Sequence, residues 1–321
     1  METVNIGFVG AGDIANLHAE GIAKCTGAKL KGLWNRTAAR ASAKAELYNC
    51  QIYNTPAELV SDPEIDAIFV LTHIDTHHQF AKLAMEHGKH VLVEKPVGTF
   101  EEIEDLARIA ESNDVKCVPV HNYVYEPGLN RAKDLIDRGQ LGDIVSVYVM
   151  YNIYHPDSIR ERIPGVAQEI LTHHSYIALY LIGKPVSLSA MSSTISKTGP
   201  DREDIAMVTM NMKNGALAHF CASFAADDHA GDPWTCMVKV IGTKGATRFS
   251  YRDWVNNTPA EVHTQTYLAY PYSIHAVGEH FVNRVIREDQ PPLSSLQDAV
   301  TSERMVEACY ESIEMGKHIK L

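Results

Sequence analysis

Val4-Asn5-Ile6-Gly7-Phe8-Val9-Gly10-Ala11-Gly12-Asp13-Ile14-Ala15 is the stretch that decides the fold. Its first six residues form a short apolar run of strand type, and residues 13–26 read as a helix. Between them, Gly10-Ala11-Gly12-Asp13-Ile14-Ala15 fits the pattern G-x-G-x-x-G/A. A lone match is weak. With a strand before it and a helix after it, at the start of a βαβ unit, the match becomes a dinucleotide-binding fingerprint. Gly10 allows the tight turn, Gly12 lets the backbone approach a pyrophosphate, and Ala15 lets helix and strand pack closely. The helix N-terminus offers backbone N–H groups and the positive end of its dipole to phosphates. The plain alternative is a glycine-rich turn that binds nothing.

Working outward, strand and helix patterns alternate. Residues 29–34 read as a second strand, 37–48 as an Ala-rich helix, 65–71 as a third strand, and 76–87 as a helix ended by Gly88. His90-Val91-Leu92-Val93 is a fourth strand, Thr99-x-x-Glu102 has capping-box spacing, and 115–120 is a fifth strand. Strands alternating with helices predict an α/β fold with a Rossmann-type, doubly wound parallel sheet over 1–121. The character changes after His121. A helix over 127–138 ends at Gly139, 143–154 alternates as a strand, and a helix over 166–182 ends at Gly183-Lys184-Pro185. Strand patterns with turn signals such as Lys213-Asn214-Gly215 fill 186–270, and helices near 274–287 and 297–315 close the chain. The second domain, 122–321, is therefore expected to be α+β with a mostly antiparallel sheet.

The 321 residues suit about two domains. With 29 Lys and Arg against 40 Asp and Glu, the net charge is −11, which argues against nucleic acid and anionic membranes as partners. The six cysteines form no CxxC motif, so reduced thiols in a cytoplasmic protein are expected. No signal-peptide pattern opens the chain, and no apolar run approaches the ~18 residues of a membrane helix. Sixteen histidines are unusual. The pairs His77-His78 and His173-His174 are adjacent in sequence, and adjacent side chains on a helix do not face one another. With no H-E-x-x-H spacing either, no metal is expected.

At the end of the second strand stands Asn35, followed by Arg36 and then Arg40. An NAD site favours Asp or Glu there, so a neutral side chain beside guanidiniums points to the 2′-phosphate of NADP. NAD remains the alternative, because Asn35 can hydrogen-bond a 2′-hydroxyl and the arginines can be solvated charges. Ligands of a doubly wound sheet bind beyond the carboxyl ends of the strands. Those ends carry Gly10 to Ile14, Asn35-Arg36, Thr72-His73, Glu94-Lys95-Pro96 and His121-Asn122. A lysine directly after a buried strand is a poor structural choice, so Lys95 stands out.

Gly88-Lys89-His90-Val91-Leu92-Val93-Glu94-Lys95-Pro96, together with the glycine loop, resembles the Gfo/Idh/MocA oxidoreductase family. Thr72 to His77 is similar to that family's Thr-Pro-Asn-x-x-His segment, with His73 where proline is usual, and residues 299–316 resemble its terminal helix. The resemblance covers essentially the whole chain. It implies hydride transfer between NAD(P) and a hydroxyl or carbonyl of a sugar, polyol or related compound, with Lys95 beside the nicotinamide. The cofactor contacts it implies, with the glycine-loop reading, are Gly10, Ala11, Gly12, Asp13, Ile14, Asn35, Arg36, Arg40, Thr72, His73, His77, Glu94, Lys95, Pro96 and Asn122.

The family's Asp-x-Gly-x-His motif aligns with Glu169-Ile170-Leu171-Thr172-His173, because His173 lies ten residues before Gly183. Glu169 then replaces the aspartate, Leu171 the glycine, and Tyr176 a second aspartate. His174 is the register competitor. Glu169 and His173 are spaced i, i+4 and so share one face of an α-helix; by spacing alone, a surface Glu–His pair is the plain reading. The resemblance implies Lys95, His173 and Glu169 as the catalytic set: His173 as general base, Lys95 as hydrogen-bond donor to the substrate oxygen, and Glu169 as an orienting group.

Substrate candidates are Lys95, Tyr123, Tyr154, Arg160, Glu169, His173 and Tyr176. In Asn122-Tyr123-Val124-Tyr125-Glu126-Pro127, Val124 stands where the family has arginine. Tyr125, His155, Arg162, Asp227, Asp228 and His229 are weaker candidates. An NAD-dependent glycosidase on the same scaffold and a non-catalytic dinucleotide-binding regulator are the alternative functions. The family's open-faced second sheet usually packs on another subunit, so a homodimer or homotetramer is expected.

Overall fold

The computed structural model describes residues 3–226, 235–250 and 269–321. The chain separates into two compact units: Met1–Asn122 with Pro271–Val300, and Tyr123–Tyr270 with Thr301–Leu321. A single boundary at residue 121 therefore misses one segment, 271–300, which returns to the first unit.

In the first unit, β1 (Val4–Val9), β2 (Ala28–Trp34), β3 (Gln51–Ile52), β4 (Ala67–Val70), β5 (His90–Val93) and β6 (Cys117–Pro119) form one sheet in the order β3-β2-β1-β4-β5-β6. Every pairing in it is parallel. This is the doubly wound arrangement, with the strand order reversing between β1 and β4. The connections carry α1 (Ile14–Lys24), α2 (Ala38–Tyr48), α3 (Pro56–Ser61), α4 (His77–Glu86) and α5 (Phe100–Ser112).

Helix α5 starts where the Thr-x-x-Glu spacing places it. Thr99 Oγ1 accepts from the Glu102 amide at 3.3 Å, and Glu102 Oε2 accepts from the Thr99 amide at 2.9 Å. Val9, Ile68, Val70, Val91, Val93 and Leu106 are fully buried at the centre of the core, and Leu296, Ala299 and Val300 of the returning segment join it. The same segment places Phe281 on Phe69 with ring centroids 5.9 Å apart, and Arg287 Nη2 donates to the Gly27 carbonyl at 2.6 Å.

The second unit contains α6 (Pro127–Asp137), β7 (Ile144–Asn152), α7 (Asp157–Arg160), α8 (Thr172–Ile182), β8 (Pro185–Ser193), β9 (Ile205–Met212), β10 (Leu217–Ser223), β11 (Thr235–Gly242), β12 (Ala246–Phe249) and β13 (Ile319–Lys320). Its sheet has the order β12-β11-β7-β10-β9-β8-β13, antiparallel except for the β7–β10 pair. Period-2 alternation sorts its two faces. Ala190, Val208, Phe220, Val149 and Val238 are register partners across five strands and all are buried. One residue along, Met191, Met207, Cys221, Met150 and Met237 form the matching row on the other face, where Met191 is 79% exposed and Met207 45%. The closing helix, Leu296–Met315, contributes residues to both units.

His121 in the first unit and His174 in the second are buried, and burial pushes each imidazole down to about 3. The folded chain therefore stays neutral at sites where the unfolded chain, with ordinary histidines near about 6.5, takes up protons. The stability they contribute is complete above about pH 6.5 and is lost as the pH falls towards about 3. His174 packs against Phe220 with centroids 5.5 Å apart, and among the described residues neither of its ring nitrogens has a hydrogen-bond partner. His174→Leu is expected to stabilise the protein by about 1–3 kcal/mol and by more in acid. Urea midpoints at about pH 5 and about pH 8 check this, and an equal gain at both would dissociate the effect from His174 titration.

Candidate active site

The first unit gathers the sequence candidates at one edge of its sheet because all six strands run the same way. Gly10 leaves β1 at φ +106°, and a Cβ there would lie 2.6 Å from the Leu71 carbonyl oxygen. Only glycine fits that turn. At Gly12, by contrast, a Cβ would meet nothing within 4 Å. The protein itself does not require glycine there, so the open space is a cradle in which backbone can approach a ligand. Asp13 precedes α1 without making a side-chain cap, and the first turn of α1 holds no acidic residue. Among the described residues, the N–H groups of that turn thus lack a side-chain acceptor, which suits a pyrophosphate.

Asn35 holds the loop from the side. Its Oδ1 accepts from the Ala11 amide at 3.0 Å, and its Nδ2 donates to the Thr37 carbonyl at 3.1 Å. Arg36 and Arg40 are exposed, and among the described residues neither is in an ion pair.

Beyond β4 and β5, two buried histidines brace the loops. His77 is buried, with Nδ1 2.9 Å from the Pro96 carbonyl and Nε2 2.9 Å from the Thr72 carbonyl. Its ring is therefore a strut between two loops, where the sequence reading had it as a cofactor contact. His18, which the sequence reading missed, sits on the buried side of α1. Its Nε2 lies 2.8 Å from Glu94 Oε1, and Glu94 Oε2 accepts from the Lys95 amide at 3.1 Å. Glu94 is 6% exposed, so it is a buried post beneath a half-buried Lys95. Thr72 Oγ1 accepts from the Thr76 hydroxyl at 2.8 Å, while His73 is exposed beside Asp75. Asn122 is buried with Nδ2 2.6 Å from Ser273 Oγ, and His121 Nδ1 is 2.6 Å from Ser294 Oγ. Both pairs fasten the end of β6 to the returning segment, whose serines no local motif marked out.

In the second unit, His173 and Tyr176 are both buried on α8, with His173 Nδ1 2.6 Å from Tyr176 Oη. The Tyr123 ring stands edge-on to His173 at 4.9 Å. Glu169 is half-buried and lies in a π-helical turn, Ala167–Leu171, that leads directly into α8. Such turns hydrogen-bond i→i+5, so an i, i+4 spacing no longer guarantees a shared face.

Outside residues secure that turn. Tyr310 Oη accepts from the Gln168 amide at 3.2 Å and donates to Glu203 Oε1 at 3.1 Å, while Gln168 Nε2 donates to Glu303 Oε1 at 3.2 Å. Arg160, a substrate candidate, is instead buried between Asp157 and Asp204, at 3.3 and 3.4 Å, and serves to anchor the loop. Tyr154 is half-exposed, Arg162 is exposed, and His155 packs on Phe224 at 4.8 Å. Asp227, Asp228 and His229 lie outside the described residues. Among the described residues, no His, Cys, Asp or Glu cluster has the arrangement of a metal site, and no helix is long and apolar enough to cross a membrane.

Residues 4–121 match the profile described as an oxidoreductase family with an NAD-binding Rossmann fold, and residues 129–248 match the GFO/IDH/MocA C-terminal domain. The chain belongs to the Gfo/Idh/MocA oxidoreductase family. Among its relatives, the inositol 2-dehydrogenase of Rhizobium meliloti (strain 1021) is 25% identical over 249 residues, which is 76% of this chain and 74% of that one. The 1,5-anhydro-D-fructose reductase of Ensifer adhaerens is 25% identical over 228 residues, 68% of each. The crystal structure of scyllo-inositol dehydrogenase from Lactobacillus casei, with bound NAD(H) and scyllo-inositol, has the same fold, with a TM-score of 0.86 at 20% identity over 99% of both chains. This member of the family is therefore an oxidoreductase with an NAD-binding Rossmann unit.

The two loop glycines separate folding from binding. Gly10→Ala is expected to destabilise the protein by about 1–3 kcal/mol through its backbone. Gly12→Ala is expected to leave the melting temperature unchanged and to weaken dinucleotide binding at least about tenfold, the equivalent of 1.4 kcal/mol, because its methyl group occupies the cradle. Thermal melts and titration calorimetry with NAD and NADP read both; unchanged affinity in Gly12→Ala refutes the cradle.

Proposed function

We propose that this protein is a dehydrogenase or reductase that interconverts a secondary or hemiacetal hydroxyl and the corresponding carbonyl on a sugar, polyol or related compound. The observation that carries the reading is Lys95, held directly beyond β5 by the His18–Glu94 post beneath it and by the His77 strut at Pro96. So much buried polar structure around one lysine is costly unless that lysine has a task. The relatives named as inositol dehydrogenases and an anhydrofructose reductase support the substrate class.

The dinucleotide, when bound, supplies hydride chemistry at its nicotinamide. The chain supplies the rest. The amides of Gly12 to Ile14 hold the pyrophosphate, since those of Gly10 and Ala11 already donate to the Trp34 carbonyl and to Asn35. His173 takes the hydroxyl proton in oxidation and returns it in reduction, a role suited to imidazole at physiological pH. The Lys95 ammonium donates a hydrogen bond to the substrate oxygen and stabilises its developing negative charge. Glu169 orients a neighbouring donor. His173→Ala is expected to lower kcat by about 10²–10⁴-fold and Lys95→Ala by about 10²–10³-fold, with dinucleotide affinity retained in the histidine variant. A sugar and polyol panel followed at the nicotinamide absorbance provides the measurement; near-normal turnover in His173→Ala sinks the assignment.

Asn35, with its carbonyl oxygen committed to the glycine loop, and the exposed Arg36 and Arg40 favour NADP over NAD. Arg36→Ala is expected to cut kcat/KM for NADP by about tenfold or more while sparing NAD, since a lost charge-assisted hydrogen bond is worth about 1.5–3 kcal/mol. Equal loss with both dinucleotides contradicts it. The apolar sheet face around Met191, Met207 and Leu217 suits a second copy of the chain, giving a dimer or tetramer. Light scattering tests this, and a monomeric mass at micromolar concentration counts against it.

A further inference from the structure

We propose that Tyr176 is the positioning residue of His173, fixing the imidazole through Nδ1 and setting its protonation with an uncharged partner. The proposal rests on reading His173 as the proton-transferring group. Tyr176 follows His173 by one helical turn, and its Oη lies 2.6 Å from His173 Nδ1. The Tyr123 amide approaches the same oxygen at 3.4 Å. The two tyrosine rings are tilted 31° from one another, and each meets the His173 ring edge-on, at 4.9 and 5.5 Å. Tyr123 and Tyr176 are each 1% exposed, so the phenol cannot swing away without opening the core of its unit.

The chemistry follows from what a phenol can and cannot do. An ionised carboxylate only accepts hydrogen bonds, and its charge favours the imidazolium. A phenol accepts from Nδ1–H or donates to a bare Nδ1, and it brings no charge. With the Tyr123 amide on one lone pair, the phenol can still accept from Nδ1–H through the other. In that state the Nε2 lone pair carries the basicity, so proton exchange with a substrate falls to Nε2. When Nε2 takes the proton, the Nδ1–H to Oη bond persists, and neither ring has to move. Compared with a carboxylate in the same place, the phenol lets the histidine lose its proton at a lower pH.

Among the described residues, the elements around His173 bring further titratable groups. Tyr270 packs on Tyr123 with ring centroids 6.4 Å apart, and Glu169 lies four residues before His173, in the π turn. The closing helix presents Ser302 to the Thr172 carbonyl at 3.2 Å. Glu303, next to Ser302, is tied to Gln168, and burial pushes its carboxyl up to about 7.

The experiment uses the full chain with Tyr176→Phe, which removes one oxygen and keeps the ring, and Tyr176→Asp, which installs a carboxylate. Nitrogen-15 and carbon-13 NMR of the histidine rings, with the His173 signals assigned by their loss in His173→Ala, read tautomer and titration directly. In Tyr176→Phe the Nδ1 shift and the tautomer balance are expected to change. In Tyr176→Asp the titration midpoint is expected to rise by about 1–3 units, the size of an adjacent opposite charge. The acidic limb of the kcat/KM profile is expected to move with it, while kcat falls about 10–100-fold in Tyr176→Phe at unchanged KM, less than the full loss of acid–base catalysis. If the His173 resonances of Tyr176→Phe, which preserves the packing, stay where they are in the parent, the pairing is overturned. If the resonances move and the rate profile does not, the pairing stands and the reading of His173 as the catalytic base is what fails.

Discussion

The carbonyl of Leu71 occupies the space that a side chain on Gly10 would need. That contact is the constraint from which the cofactor end of the molecule follows. Strand β1 is paired on both sides, to β2 and β4, up to its last residue. As the chain leaves it, the Gly10 amide still donates to the Trp34 carbonyl at 2.9 Å, and the Leu71 amide donates to the Val9 carbonyl at 2.8 Å. A backbone pinned to both neighbours has no room to swing wide, so it must turn sharply at a residue without a Cβ. The sharp turn sets where α1 begins, and that start leaves a helix N-terminus at the strand-order reversal of the sheet. Phosphate affinity is thus a by-product of how a central parallel strand ends.

The second level of organisation is a set of buried polar posts that hold loops to one another. His18 and Glu94 meet beneath Lys95, His77 bridges the loops after β4 and β5, and Ser273 and Ser294 fasten the end of β6. Each such pair exchanges hydrogen bonds to water for hydrogen bonds inside the protein, with a net gain of only about 0.5–1.5 kcal/mol. Removing one member leaves the other buried without compensation, at a cost of about 1–3 kcal/mol. This asymmetry gives geometric definition at little cost in stability, which loops need if they are to hold a reacting group to fractions of an ångström.

What could be read from the sequence followed the range of the interactions. Local signals carried well. The glycine loop, the capping box at Thr99 and the turn at Gly88 all lie within a few residues of what they determine. Helix α3 had such a signal too, Thr55-Pro56 with Glu58 three residues after the threonine, and Thr55 Oγ1 does accept from the Glu58 amide at 3.1 Å; a six-residue helix is simply too short for periodicity to register. Pairs far apart in the chain left no trace. Nothing near Asn122 announces Ser273, 151 positions away, and nothing near Arg160 announces Asp204, 44 positions away. An arginine beside a loop reads as a substrate ligand until its acidic partner folds onto it. The return of 271–300 to the first unit is the same failure on a larger scale, because a helix pattern records a buried face but not what buries it.

The π turn at Ala167–Leu171 shows why a motif can keep its residues and still change its geometry. The sequence Glu169-x-x-x-His173 invites the α-helical inference of a shared face, and it is drawn from spacing alone. A π turn breaks that inference by widening the loop of backbone between the two positions. Such turns are rare and occur mostly as single turns within helices, frequently at functional sites. Here Gln168 is held on its backbone by Tyr310 and on its side chain by Glu303, while Glu203 accepts from the Ala167 amide at 3.2 Å and receives the Tyr310 hydroxyl. Those three partners come from the 203 loop and the closing helix, and none is adjacent to the motif. They set the phase with which α8 begins, and hence which side chains stand beside His173. With the phase fixed from outside, Tyr176 meets His173 and His174 is turned into the core against Phe220. Which of the two adjacent histidines meets Tyr176 is thus tied to side chains of the 203 loop and the closing helix, and their contribution enters the motif only as a rotation.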